Sequence, residues 1–396
     1  VAVTMTDMAG TQQAGALLGV YKRAAPMFVA GRGCRLIDDE GREYLDFTSG
    51  IGVNALGYGD AGLAQAISDA LDTGLIHISN LFRTEPGERL AQELVSRSFA
   101  DKVFFCNSGG EAMEGALKFA RRWATDRGGA EKHEIVALRG SFHGRLFGSL
   151  AITDRPAYRA PFAPLMPGAR FALPELAAVR EAVSRASTAA IVLEPVQGEG
   201  GIIPLAPELL RDLRALADEI DALLIFDEVQ CGLGRTGRLF AHENAGVTPD
   251  ILTLAKPIAG GLPMGAVLLT DRVAAALKPG DHATTFGGGP LVASAALAVL
   301  QRVADPALLE RVRAGGAQIA RTTNAWVAEG RIRQARGIGL MWGLELEDVA
   351  APVVARALEA GLLILTAGER VLRLLPPLVI EPADIDQGLG LLRDVL

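Results

Sequence analysis

Residues 249–261 read PDILTLAKPIAGG. The apolar run 251–255 has the length and composition of a buried strand, and the Pro and Gly cluster behind it ends that strand. A lysine, Lys256, stands where the strand stops. The chain holds only six lysines among its 39 basic residues, so the rarer basic type occupies this place. Lysine, unlike arginine, gives up its proton when desolvated, which makes Lys256 a candidate Schiff-base nucleophile. The plainer alternative is a lysine that lays its stem along the strand end and keeps its amine in water.

The same texture repeats on both sides of this stretch. Apolar runs at 103–106, 135–138, 190–193, 223–226 and 266–270 alternate with helical patterns. Such alternation predicts an α/β fold, a largely parallel sheet covered by helices on both faces. In sheets of that kind ligands bind beyond the carboxyl ends of the strands. Ser108, Phe142, Arg145, Glu194, Asp227, Gln230 and Lys256 all fall at those ends. The tail differs: strands over 339–346, 362–366 and 371–375, with helices between, predict a smaller α+β domain. The stretch 34–47, CRLIDDEGREYLDF, reads as a hairpin around Asp39-Glu40-Gly41 and is expected to join it. This gives an N-terminal segment and hairpin at 1–60, a large domain at 61–289, and a small domain at 290–396 that opens on an Ala-rich helix over 291–303. Residues up to about Gly19 are small or polar and are expected to be a loose lead-in.

Composition narrows the function classes. Hydrophobic residues make up 49% of the 396, too many for a disordered chain. A net charge of −7, mixed along the sequence, leaves no footprint for nucleic acid or an anionic membrane. Cys34, Cys106 and Cys231 fit neither a disulfide framework nor a zinc spacing, and no metal is expected. Without a secretory pattern or a long apolar stretch, a cytoplasmic location is expected.

Several strand ends carry groups with a definable chemistry. Ser108-Gly109-Gly110 precedes a helix, where free N–H groups and the helix dipole favour a phosphate. Ser108 and Glu111 also have capping-box spacing, and the two readings are compatible. Asp227 closes an apolar strand and needs a cationic or hydrogen-bonding partner; a pyridinium nitrogen would serve. A Walker-B reading of residues 223–228 lacks its phosphate-loop partner. Gly232, Gly234 and Gly237 satisfy G-x-G-x-x-G, the basis of an alternative NAD-dependent oxidoreductase, but they lie past the strand and no good amphipathic helix follows. Phe142 is suited to stacking on a flat ring, and Arg145 to gripping a carboxylate; singly, each is equally a core aromatic and a solvated arginine. Arg373 interrupts the run VLRLLPP. It reads first as a solvent-facing residue of an edge strand, and second as another carboxylate anchor. Thr284 and Thr285 offer hydroxyls on a Gly-rich loop.

In combination and in order, HISNLF, NSGGEA, SFHGR, EPVQGEGG, LLIFDEVQCGLGRTG, PDILTLAKPIAGG and TTFGGGP give a chain that resembles the class III aminotransferases of fold type I, the pyridoxal-phosphate-dependent family. The likeness runs from CRLIDDEGREYLDF to VLRLLPPLVI. It implies a large domain with a mostly parallel sheet of seven strands, a smaller α+β domain, and a homodimer with shared active sites. It implies Lys256 as the Schiff-base lysine and the base of the reaction, with Asp227 at the pyridinium nitrogen, Gln230 at the ring hydroxyl and Phe142 stacked on the ring. Ser108, Gly109 and Gly110 would hold the phosphate, joined by Thr285 from the partner subunit, with Glu228 and Val229 also against the cofactor. Thr284 matches a substrate-contacting position. Arg145 matches the anchor for the donor's distant carboxylate, Arg373 the anchor for the 2-oxoglutarate carboxylate, and Glu194 the glutamate that neutralises Arg373. The activity implied is transfer of the terminal amino group of N-acetylornithine to 2-oxoglutarate, in arginine biosynthesis. Succinylornithine, ornithine, 4-aminobutyrate or an acylated lysine-pathway amine are the alternative donors. Gly110, Met113, Gly289 and Tyr58 depart from the usual pattern of that branch.

Overall fold

The computed structural model describes residues 16–396; most of the expected lead-in lies outside the described residues. Its strands are β1 (Phe28–Arg32), β2 (Arg35–Asp38), β3 (Glu43–Asp46), β4 (Lys102–Cys106), β5 (Glu134–Leu138), β6 (Ala169–Ala172), β7 (Thr188–Leu193), β8 (Val196–Gln197), β9 (Ile203–Pro204), β10 (Leu223–Asp227), β11 (Ile251–Leu254), β12 (Gly265–Leu269), β13 (Gln334–Ile338), β14 (Met341–Glu345), β15 (Leu362–Leu363), β16 (Leu365–Thr366) and β17 (Val371–Leu374).

Seven of them form one sheet in the order β4-β12-β11-β10-β7-β5-β6. The pairs β11–β10, β10–β7, β7–β5 and β5–β6 are parallel, and β12 runs antiparallel to both neighbours. The central strands β7 and β10 are buried along their whole length. Continuous apolar runs such as TAAIVL and LLIFD follow from that position, because helices cover both faces. Against one face lies the helix Gly109–Gly128, whose Met113, Ala116, Leu117, Ala120 and Trp123 form its buried stripe. The helix Pro207–Glu219 packs with Leu224 and Phe226 on the opposite side.

The helix Pro290–Val303, grouped by sequence with the C-terminal part, packs on the helices Ala61–Asp72 and Glu85–Ser96. Its Ala293, Val299 and Leu300 share a core with Leu252, Leu254, Ala266 and Leu268 of the large sheet. The predicted strand over 362–366 is split. β15 pairs in parallel with β3 of the N-terminal hairpin, whereas β16 pairs antiparallel with β17 in the sheet β13-β14-β17-β16. One apolar stretch thus serves two sheets, and a break at Ile364 lets it turn from one to the other.

Hydrogen bonds fasten the C-terminal part to the N-terminal segment and, through Arg235 on the loop after β10, to the large domain. Leu375 N–H donates to Phe47 O (2.7 Å), and Leu378 N–H to Ala55 O (2.8 Å). The Arg235 guanidinium donates to Leu340 O (3.0 Å) and to Pro376 O, while Leu340 N–H returns to Arg235 O (3.0 Å). Burial pulls the Arg235 pKa down to about 9. Carbonyl dipoles from the C-terminal part therefore hold this cation in place of water.

Phe47 is fully buried, and Gly388 of the helix Pro382–Val395 lies flush against it. A Cβ on Gly388 would stand 2.3 Å from Phe47 Cζ. Gly to Ala inside a helix ordinarily stabilises by about 1 kcal/mol. Overpacking a closed core costs about 1–3 kcal/mol, so here the sign should reverse. Gly388→Ala is expected to lower the urea unfolding midpoint; a raised midpoint would contradict this packing.

Candidate active site

The carboxyl ends of the parallel strands bring most of the expected residues to one edge. β11 ends at Leu254, and Lys256 follows with a backbone φ of +31°. A side chain other than Gly seldom adopts a positive φ, and such strain persists only where the surroundings enforce it. Burial pulls the Lys256 amine pKa below its ordinary value; the nearby charges of Glu199, Asp227 and Glu194 oppose that shift, and that of Arg373 adds to it. These four charges therefore converge on one amine.

Asp227, the last residue of β10, is 4% exposed. Its Oδ1 accepts from Val229 N–H (3.0 Å) and lies 3.4 Å from Thr253 Oγ1, while Oδ2 accepts from His143 Nδ1 at 2.8 Å. Donors from two other elements thus meet this buried carboxylate in place of water. His143 and Thr253 were not singled out by sequence reasoning. His143 sits inside the SFHGR motif beside the chosen Phe142, and Thr253 is a fully buried hydroxyl in an apolar strand. A buried polar group in such a run is the signal that would have found each of them. His143 Nε2, Gln230 Oε1 and Arg373 Nε are buried and find no hydrogen-bond partner among the described residues.

At the end of β4, Ser108 caps the helix Gly109–Gly128 and its Oγ accepts from Glu111 N–H (3.2 Å). The Glu111 carboxylate reaches back to Asn107 N–H (2.7 Å). This is the expected capping box, shifted by one residue on its return bond. The first helix-type bond here runs from Ala112 N–H to Ser108 O (3.0 Å), so the Gly109 and Gly110 amides lie ahead of the intrahelical ladder. A Cβ on Gly109 would come within 2.8 Å of Val229 Cγ1. Glycine is what lets the β10 loop close over this helix start.

Three expectations are corrected. Arg373 is 3% exposed and lies on β17 between β14 and β16, so the edge-strand, solvent-facing reading fails: the strand is interior. Its guanidinium NH1 pairs with Glu199, not with Glu194. Glu199 sits in the turn between β8 and β9, which projects far enough to reach β17, whereas the Glu194 carboxylate is occupied by the amides of Phe142 (2.9 Å) and Gly198 (2.9 Å). The signal for Glu199 was its place in QGEGG, an acid on a glycine-rich turn. Lastly, the Glu228 carboxylate points away from Asp227 and accepts from Ala241 N–H (2.6 Å) and His242 N–H (2.7 Å), because successive side chains of an extended segment face opposite ways.

The remaining residues lie at the rim. Arg145 is exposed, its guanidinium 3.5 Å from the Tyr158 ring centroid and 5.7 Å from that of Phe142. Thr284 Oγ1 accepts from Asn107 Nδ2 (3.1 Å), which ties its loop to the helix start. Thr285 is exposed next to Phe286. The stretch with Gly232, Gly234 and Gly237 is followed only by the four-residue turn Ala241–Asn244. A helix start suited to a pyrophosphate is not formed there, and Arg235 fills the loop instead.

A strand-end lysine, an aspartate one strand away and a glycine-led helix start lie together at this edge of the sheet. The chain matches the Aminotransferase class-III family over residues 20–396, and it belongs to that family. It is 47% identical to the mitochondrial acetylornithine aminotransferase of Alnus glutinosa over 386 residues, 96% of this chain and 85% of that one. The N-acetylornithine aminotransferase of Stenotrophomonas maltophilia K279a superposes with a TM-score of 0.81 at 36% identity, covering 93% and 95% of the two chains. The ornithine aminotransferase of Toxoplasma gondii, in a structure with pyridoxal phosphate partly occupying its active site, superposes with a TM-score of 0.89 at 30% identity, covering 95% and 92%.

Burial raises the Glu228 carboxyl from 4.5 to about 8. Between those values the folded chain holds a proton that the unfolded chain has released, so stability falls as pH rises through this window and levels off above it. Glu228→Gln removes this contribution. It is expected to flatten the slope of Tm against pH between about pH 5 and 8, read by scanning calorimetry; an unchanged slope would show that another group is responsible.

Proposed function

We propose that this chain transfers the terminal amino group of N2-acetyl-L-ornithine to 2-oxoglutarate, with pyridoxal 5'-phosphate as its cofactor. The products are N-acetylglutamate semialdehyde and glutamate. The observation that carries the reading is the buried Lys256 amine, held at reduced basicity among Asp227, Glu194, Glu199 and Arg373.

The residues present fit the cofactor. The helix start at Ser108, Gly109 and Gly110 offers amides and a hydroxyl to its phosphate. Asp227 offers its carboxylate to the ring nitrogen, the unpartnered Gln230 Oε1 suits the ring's edge, and Phe142 would stack on its face. When bound, the cofactor supplies the electron sink that makes an amino-bearing carbon acidic.

Lys256 Nζ then takes the proton from that carbon and returns it one position away. A lowered pKa matters here, since a base must be unprotonated at working pH. Arg373 and Glu199 supply the alternation between substrates. Paired with Glu199, Arg373 is neutralised while a donor whose carboxylate is distant occupies the site. When 2-oxoglutarate enters, its carboxylate takes the place of Glu199 in a charge-assisted pair. Arg145 at the rim holds the far carboxylate of the donor, and Thr284 lines the same rim.

Leu81, Phe82 and Phe286 are exposed large apolar residues, and Asn80 Nδ2 donates to Thr284 O (2.8 Å), which links their two segments beside Thr285; this supports a homodimer in which each Thr285 serves the neighbouring site. Ornithine is the second reading for the donor, favoured by the likeness in fold to the ornithine aminotransferase.

The reading is tested with each amine and 2-oxoglutarate in a steady-state glutamate assay, followed by single half-reactions. N-acetylornithine is expected to give the highest kcat/KM, and Lys256→Ala to abolish turnover. Arg373→Ala should slow the 2-oxoglutarate half-reaction by about a hundredfold while changing the donor half-reaction severalfold at most, the loss of one buried charge-assisted pair. Equal losses in both halves, or a clear preference for ornithine, would contradict this assignment.

A further inference from the structure

The Glu194 carboxylate is 5% exposed and meets no cation in a salt bridge among the described residues. Its Oε1 accepts from Phe142 N–H and its Oε2 from Gly198 N–H, each at 2.9 Å. Those two amides belong to different loops. Phe142 lies on the loop that follows β5. Gly198 opens the turn between β8 and β9, and the next residue is Glu199, the partner of Arg373.

Further bonds sew the same two segments together. Gln197 Nε2 donates to Arg139 O (2.8 Å), and the Arg155 guanidinium donates to Glu199 O. On the far side of the turn, Arg336 Nε donates to Gly201 O (2.9 Å). The turn is thus held from both sides, and the Glu194 carboxylate is the ionisable member of the set that accepts two amides at once.

We propose that Glu194 is a positioning residue: by clasping the Phe142 and Gly198 amides it ties the loop after β5 to the β8–β9 turn and so sets whether Glu199 covers Arg373. The proposal rests on the aminotransferase reading for its consequences in catalysis, though not for the clasp itself.

The chemistry of the clasp makes it sensitive to protonation. An ionised carboxylate accepts on both oxygens, and its bonds to N–H groups are charge-assisted. A protonated one turns one oxygen into a weak acceptor. Burial pushes the Glu194 pKa up to about 7; His143 and the two amides pull it down, and Asp227 pushes it up. The groups facing this carboxyl are therefore His143 on the loop after β5 and Asp227 at the end of β10, with Lys256, Glu199 and Arg373 in the same charge cluster. As pH falls through about 7 the clasp loses its charge, and the turn carrying Glu199 is released from one of its ties.

Glu194→Gln places an amide oxygen against one N–H and an NH2 group against the other. Two measurements on the cofactor-loaded protein decide the matter. The first is hydrogen–deuterium exchange of peptides covering 140–146 and 195–202. At pH 8 both are expected to exchange about fivefold faster in Glu194→Gln than in the wild type, the loss of roughly one hydrogen bond. Exchange in the sheet strands should stay unchanged. If either loop keeps its wild-type exchange, the clasp is overturned, whichever donor the enzyme uses.

The second is the ratio of the donor and glutamate half-reaction rates between pH 6 and 8.5. The wild-type ratio is expected to change across about pH 7, and that of Glu194→Gln to be flat. A variant with a lowered Tm but a wild-type ratio and pH profile would reduce Glu194 to a structural role and overturn the proposal. Should Glu194→Gln not fold, Glu194→Asp, too short to reach both amides, is measured for the same two signatures. A wild-type enzyme inert towards every donor, with the exchange difference intact, would overturn the aminotransferase reading and leave the clasp standing.

Discussion

Lys256 leaves the large sheet with a positive φ and an amine whose pKa burial lowers, and a cation drawn partly out of water persists only where opposite charge or hydrogen bonds replace its solvent. Asp227, Glu194 and Glu199 supply the opposite charge, and each comes from a different element. Asp227 ends the central strand β10, Glu194 follows β7, and Glu199 rides the β8–β9 turn. Arg373 adds a second cation from the C-terminal sheet. The cluster is close to balanced in charge, and removal of one member would leave another buried and unpaired, at a cost of about 3–5 kcal/mol for a fully buried pair. The fold around the site is therefore selected for holding charges apart from water as much as for packing.

This requirement explains why the C-terminal part cannot float free of the large sheet. Arg373 reaches Glu199 only if β17 is held at the edge of the parallel strands. Backbone bonds between Leu375 and Phe47 and between Leu378 and Ala55, together with the buried Arg235, hold it there. Ser49 Oγ also donates to Leu375 O, which ties the N-terminal segment to the same point. Carbonyls rather than carboxylates accept from Arg235, so the joint gains its direction from fixed dipoles.

Much of the large sheet was legible because its central strands are buried on both faces and so read as unbroken apolar runs, each stopped by glycine, proline or an acid. Those stops mark the carboxyl ends, and the site followed from them. Lys256, Asp227 and Ser108 stand where the runs end. Less legible was anything set by side-chain direction across loops. Glu194 and Glu199 lie in one glycine-rich motif, and only the projection of the β8–β9 turn decides which of them meets Arg373. Glu228 adjoins Asp227 in sequence yet faces the other way, a consequence of alternation that the motif alone does not display. Arg373 looked exposed because a charge in an apolar run usually is; its partner lies 174 residues away. His143 was hidden by its neighbour, since the motif carried Phe142 as the obvious aromatic. The division of 362–366 between two sheets depends on tertiary pairing and leaves no local trace.

The central claim is that Lys256 is the residue that holds the cofactor. It is tested most directly by loading the protein with pyridoxal phosphate, reducing it with borohydride and mapping the labelled peptide by mass spectrometry. The account predicts one pyridoxyl group per chain, on the peptide containing Lys256 and lost in Lys256→Ala. A label on any of the other five lysines, or no label after loading, would contradict it.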